Sequence, residues 1–154
     1  MSILDGKKNI HFVGIGGSGM YPIVQILAGR GYTITGRDVN EGDIINYERA
    51  MGIKVNIPHA AEAVEGADLV VYSAAIFKDN CELARAAELG IPCIERSIML
   101  GEVSRFFEKS ICVSGTHGKT TTTSLISQIM IMAGKDPACV IGGKLPLING
   151  YGRD

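Results

Sequence analysis

Two glycine clusters, Gly14-Ile15-Gly16-Gly17-Ser18-Gly19 and Gly115-Thr116-His117-Gly118-Lys119-Thr120, each follow a short apolar run and precede a longer segment of helical character. Glycine weakens the interior of a helix or strand, so clusters like these belong in turns or where the backbone must approach something closely. They hold many of the chain's 20 glycines. The repeated order of strand, tight turn and helix restricts the fold to α/β architectures.

The intervening pattern agrees. Residues 10–13 form a brief β-type run, and Ile23, Ile26 and Leu27 then recur at helical spacing until Gly29 and Gly31. Residues 32–35 and 53–55 are further short extended pieces around a helix over 44–51, and 68–72 is a buried strand. A helix over 80–89, an extended piece at 91–94 and a helix over 97–107 follow. This alternation predicts a Rossmann-like parallel sheet flanked by helices. Near Glu108-Lys109-Ser110 the pattern restarts with a strand at 111–114, the second cluster, a helix over 121–133 and a strand near 138–141. We place a boundary there: 1–107 as a ligand-binding Rossmann-like domain, 108–154 as the first strand-loop-helix unit of a P-loop-type ATPase domain. About 45 residues are too few for a whole nucleotide-binding domain, so the second reads as truncated.

The 154 residues are 46% apolar and 20% charged, with a formal charge of −1. That balance excludes extended disorder and a broad electrostatic surface for nucleic acid. No apolar run of signal-peptide length opens the chain and none approaches the ~20 residues of a membrane span, which points to the cytosol with neither a nucleic-acid nor a membrane partner. Cys81, Cys93, Cys112 and Cys139 form no Cys-x-x-Cys pair and read as small buried hydrophobes rather than zinc or redox sites.

Gly14, Gly16 and Gly19 satisfy G-x-G-x-x-G between a strand and a helix. In that context Gly14 permits the tight turn, Gly16 brings the backbone close to a diphosphate, and Gly19 lets helix and strand pack, with free amides at the helix start facing the anion. Pro22 fits if it lies in the first helical turn. Asp38 falls 19 positions after Gly19, where an acidic side chain can accept from ribose hydroxyls or a base N–H. Arg37 reads as a surface charge. His59 can donate to a diphosphate or be structural, and Ser73 can bind ligand or cap the next turn; both pairs of readings stand.

The second cluster ends in the G-K-T of a phosphate-binding loop, although Val113 occupies the first position of the eight-residue pattern and Gly115 supplies a shorter turn. Lys119 would place its cation on the β- and γ-phosphates of ATP, Thr120 would ligate the bridging Mg²⁺, and Gly118 permits close backbone approach. A lysine at a helix start is otherwise disfavoured by the helix dipole. His117 is a phosphate contact or merely forms the loop, and Thr121 is a phosphate contact or a helix-start hydroxyl. A stand-alone NAD-binding or ligand-sensing Rossmann module, with an incidental second loop, is the competing reading; an interaction scaffold is a third.

The words His11-Phe12-Val13-Gly14-Ile15-Gly16-Gly17-Ser18-Gly19-Met20, Ser73-Ala74-Ala75-Ile76 and Gly115-Thr116-His117-Gly118-Lys119-Thr120-Thr121-Thr122-Thr123 resemble the Mur ligases, most closely those that join L-alanine to UDP-N-acetylmuramate. The resemblance runs along the whole chain but covers only about the first third of such an enzyme. It implies a UDP-substrate site made of Gly14, Gly16, Gly17, Ser18 and Gly19 on the diphosphate, Arg37 and Asp38 on the uridine side, and His59 and Ser73 as further contacts. It implies an ATP site made of Gly115, Thr116, His117, Gly118, Lys119, Thr120 and Thr121, with Lys119 and Thr120 catalytic and Thr120 on Mg²⁺. The implied role is a cytoplasmic step of peptidoglycan precursor synthesis, completed by the remainder of the ligase chain.

Overall fold

The computed structural model describes residues 2–148 and 150–154. Five parallel strands, β1 (Asn9–Val13), β2 (Thr33–Arg37), β3 (Lys54–Asn56), β4 (Leu69–Tyr72) and β5 (Cys93–Glu95), lie in the order β3-β2-β1-β4-β5. Helices α1 (Tyr21–Gly29), α2 (Asp43–Ala50), α3 (Cys81–Glu88) and α4 (Arg96–Ser104) alternate with them, and a short 3₁₀ turn at Ala61–Val64 precedes β4. The expected Rossmann-like sheet is present.

Strand periodicity distributes β1 between two cores. Ile10 and Phe12 join Ile23, Ile26, Leu27 and Met99 on one face, whereas Val13 joins Val64, Val70 and Ala86 on the other. His11 shares the Val13 side by alternation and is also buried. The next strand in sequence lies beside β1 on one flank and β4 on the other, so the sheet order reverses between β1 and β4. In open α/β sheets the crevice at the carboxyl ends of such a pair is where ligands collect.

The expected helix over 80–89 is α3, opened by Asn80, whose Oδ1 accepts from the amides of Glu82 and Leu83 at 2.9 and 3.4 Å. The expected strand at 111–114 does not form: those residues belong to no regular element and are unpaired, and Ile111 is 67% exposed. A parallel strand exists only through neighbours that satisfy its amides and carbonyls, and none of the described residues does so here. The cysteine expectation also fails in part. Cys139 is buried, but Cys81 at the start of α3, Cys93 on edge strand β5 and Cys112 in the unpaired segment are exposed.

Beyond this segment come α5 (Lys119–Met132), then β6 (Cys139–Leu145) and β7 (Gly150–Arg153), an antiparallel pair of which only β6 was foreseen. This hairpin packs on α1. A Cβ at Gly152 would collide with Pro22 and sit 2.7 Å from the Cys139 carbonyl oxygen, and the Tyr151 ring meets Tyr21 edge-on at 5.9 Å. Arg30 on the loop after α1 pairs with Asp154 at 3.1 Å. Among the described residues no helix is long and apolar enough to cross a membrane.

Candidate functional site

The first glycine loop leaves β1 at the point where the sheet order reverses. Gly14 adopts φ +78°, a left-handed turn that side chains resist, and its amide and that of Ile15 donate to the Arg37 carbonyl oxygen at 2.8 and 3.2 Å. The Ser73–Ile76 segment leaves β4 on the adjoining side and meets this turn: a Cβ at Gly14 would lie 3.2 Å from Ile76 Cδ1 and 3.6 Å from Ser73 Cβ. Thus both chain segments expected to face a ligand flank the same crevice. Ser73 Oγ itself accepts from the Ala75 amide at 3.3 Å, the capping alternative.

Gly16 departs from its expected role. Its amide donates to Asp38 Oδ2 at 2.9 Å, and a Cβ there would sit 2.8 Å from Ile45 Cδ1. The close approach seen at this glycine is to the protein's own α2 and to Asp38. Asp38 is correspondingly occupied: its Oδ1 accepts from the Val39 and Asn40 amides at 2.7 and 3.3 Å. The open part of the loop is one step further on. Gly17 and Ser18 are exposed, Gly19 is half-buried, and among the described residues the Ser18 and Gly19 amides have no acceptor. Pro22 lies in the first turn of α1, as expected.

Two further side chains escaped the sequence reading. The Arg96 guanidinium, at the start of α4, lies against Gly19: a Cβ there would be 3.3 Å from Nη1 and 3.4 Å from Cζ. Glu48 on α2 is fully buried, and neither carboxyl oxygen has a partner among the described residues. Burial, and after it the negative charge of Asp38, push the Glu48 carboxyl up to about 8.

Arg37 and His59 are engaged elsewhere. Arg37 donates to the Pro58 carbonyl oxygen at 2.7 Å and lies 3.8 Å from Glu62. His59 Nδ1 is 2.7 Å from Glu82 Oε1, while His11 Nε2 is 2.8 Å from Glu82 Oε2 and His11 Nδ1 is 2.8 Å from Thr35 Oγ1. Burial raises the Glu82 carboxyl, but hydrogen bonds and charge from His11 and then His59 outweigh it and hold the group below its ordinary value. Glu82 is thus a fully buried carboxylate accepting from both imidazoles, and His59 Nε2 is left buried without a partner among the described residues. A cavity of about 340 Å³ opens beside this network, lined by His11, Thr33, Thr35, Lys54 and Asn56, and reaches neither glycine loop.

The second loop is exposed from Gly115 through Thr121. Gly118 adopts φ +76° and delivers Lys119 as the first residue of α5. The Lys119 ammonium folds back into the loop and donates to the carbonyl oxygens of Gly115 and Thr116 at 2.6 and 3.2 Å. Thr120 borders β6, where a Cβ at Gly143 would lie 3.0 Å from its Cγ2. The Thr120 hydroxyl is suited to one position on Mg²⁺, but among the described residues no His, Cys, Asp and Glu cluster completes a metal site. The apolar residues Leu125, Ile129 and Met132 on α5 are exposed.

A family model described as "Mur ligase family, catalytic domain" matches residues 9–108. The UDP-N-acetylmuramate–L-alanine ligase of Caldanaerobacter subterraneus subsp. tengcongensis is 50% identical over 150 residues, which are 97% of this chain and 33% of that protein. The crystal structure of a UDP-N-acetylmuramate–alanine ligase from Thermotoga maritima superposes with a TM-score of 0.89 at 31% identity, covering 95% of this chain and 34% of that one. A UDP-N-acetylmuramate:L-alanyl-γ-D-glutamyl-meso-diaminopimelate ligase from Neisseria meningitides gives a TM-score of 0.88 at 28% identity, covering 96% of this chain and 47% of that one. The chain spans about a third of the length of the curated relatives it matches.

Proposed function

Because this chain belongs to the Mur ligase family, we propose that it supplies the UDP-substrate site and the opening of the ATP site of an ATP-dependent ligase that joins L-alanine to UDP-N-acetylmuramate in the cytoplasm. Residues 1–107 carry the first site and 108–154 begin the second. The observation that carries this reading is the pairing of the 14–19 loop and the 73–76 segment on either side of the crevice where the sheet order reverses. A uridine diphosphate would lie there with its phosphoryl oxygens on the Ser18 and Gly19 amides.

In the reaction proposed for the whole ligase, a substrate carboxylate oxygen attacks the γ-phosphorus of ATP and ADP leaves. The amine of L-alanine then attacks the acyl carbon, the amide forms, and phosphate departs. This chain's part is electrostatic. The Lys119 ammonium already lies inside its loop on two carbonyl oxygens, and phosphoryl oxygens would replace them without moving the backbone. Thr120 would hold Mg²⁺, which neutralises charge on the bridged phosphates when bound. Gly115, Thr116, His117, Gly118 and Thr121 form the rim around these two. Asp38 acts by fixing Gly16, and His59 by its bond to Glu82.

Calorimetry with UDP-N-acetylmuramate, UDP, NADH and Mg·ATP tests this assignment. Uridine-dependent binding with no preference for NADH is expected. Tighter binding of NADH than of UDP would overturn the reading in favour of a dinucleotide module.

A further inference from the structure

We propose that the cavity on the open face of β1, β2 and β3 binds a small polyhydroxylated monocarboxylate, a sugar acid, at a site separate from both glycine loops. Strand alternation and register build this site. His11, Thr35 and Lys54 lie side by side in one row across the three strands, with Asn9 beside Thr33 on one flank of that row and Arg37 beside Asn56 on the other. Between β3 and β4 the chain supplies only the 3₁₀ turn at Ala61–Val64, and Val64 packs with Val13, Val70 and Ala86 over β1 and β4. Among the described residues no helix therefore covers β2 and β3 on this face, where Thr33, Lys54 and Asn56 are exposed around a hollow of about 340 Å³.

The lining sets two requirements on a guest, of which the first is charge. The carboxylates at the rim are taken: Glu62 lies 3.8 Å from Arg37, and Glu65 lies 2.9 Å from Arg85. Lys54 has no ion-pair partner among the described residues, so the hollow keeps one uncompensated positive charge. That favours a single carboxylate. The second requirement comes from the floor. Glu82 accepts from His11 Nε2, so the neutral ring presents only an acceptor at Nδ1, and the Thr35 hydroxyl donates to it across 2.8 Å. Thr35 Oγ1, its proton spent on His11, can only accept from a guest, which must bring a hydroxyl to it. The Thr33 hydroxyl and the Asn56 amide each offer a donor and an acceptor to further hydroxyls. A volume of about 340 Å³ is at the lower end of small-molecule sites and suits an acid the size of a hexose.

Gluconate is the probe, titrated into this chain at mildly alkaline pH while amide and imidazole NMR signals are followed. Sorbitol, which has the hydroxyls without the charge, and hexanoate, which has the charge without the hydroxyls, are the controls. Gluconate should shift the amides of 33–37 and 54–56 and the His11 ring while leaving 14–19 unmoved, and each control should bind at least about tenfold more weakly. Lys54→Gln should weaken gluconate about tenfold without changing UDP affinity. Thr35→Ser should retain gluconate and Thr35→Val should lose it; should Thr35→Val unfold, the contrast between gluconate and hexanoate decides the hydroxyl requirement. Hexanoate or sorbitol binding as tightly as gluconate, unmoved signals at 33–37 and 54–56, or undiminished gluconate affinity in Lys54→Gln would each overturn the assignment while leaving the UDP site standing.

Discussion

Glu48 is a carboxyl with no partner among the described residues, and its titration has a definite sign. Its ordinary value is near 4.5 and its value in the fold is about 8, so between those limits the native chain holds a proton that the unfolded chain has released. Stability should therefore fall as pH rises through this window, by roughly 1.4 kcal/mol per pH unit at most. Glu48→Gln should flatten that slope in thermal melts between pH 5 and 8. Glu48→Leu should raise the melting temperature at pH 8 by about 5–10 °C. A melting curve that stays parallel to that of the parent at every pH would refute the assignment. Asp38 differs, being a carboxylate that accepts from three amides. Asp38→Ala should cost about 1–3 kcal/mol of stability and weaken UDP binding, read by denaturant unfolding and calorimetry. Both the G-x-G-x-x-G spacing and the acidic residue after it were visible in the sequence. That the two would bond to each other was not, because nothing in the order of residues says how β2 ends relative to the loop. Arg96 was accessible to the dipole argument that singled out Lys119, a cation in a first helical turn. It was hidden by the expectation that α4 starts at Ser97.

The central elements were legible because each reports on its own chemistry: β-branched runs for the strands, glycine at the turns, and a run rich in Ala, Glu and Leu for α3. The failures share a cause. The 111–114 segment has strand composition, yet pairing is a property of neighbours rather than of residues. β7, Gly150-Tyr151-Gly152-Arg153, has little strand propensity and is held by β6 and α1 instead. Gly152 is the point of contact, where any Cβ would strike Pro22 and the Cys139 carbonyl. Gly152→Ala should therefore detach the hairpin: amide-exchange protection across 139–145 should drop, while β1 and β4 keep theirs. Uniform loss of protection across the chain would show that hairpin and sheet unfold together.

For the whole molecule, the decisive fact is how much of a ligase is present. Lys119 and Thr120 stand ready, but among the described residues no acidic cluster joins them, and the apolar side chains of α5 lie open. This chain alone should release no ADP above background when given Mg·ATP, UDP-N-acetylmuramate and L-alanine, while still binding UDP. ADP release that requires both other substrates would refute this, and Lys119→Ala would show whether that turnover used the second loop. The same family relation makes a further expectation concrete: Lys119→Ala should leave UDP affinity unchanged in calorimetry, since the two loops share no residue.

The bonds from Gly14 and Ile15 to the end of β2, and from Gly16 to Asp38, form entirely within the polypeptide. The first loop thus holds its shape before any guest arrives, and association need not freeze a wandering backbone. Little ordering entropy is left to lose on contact, so even a small ligand fragment can report on the site.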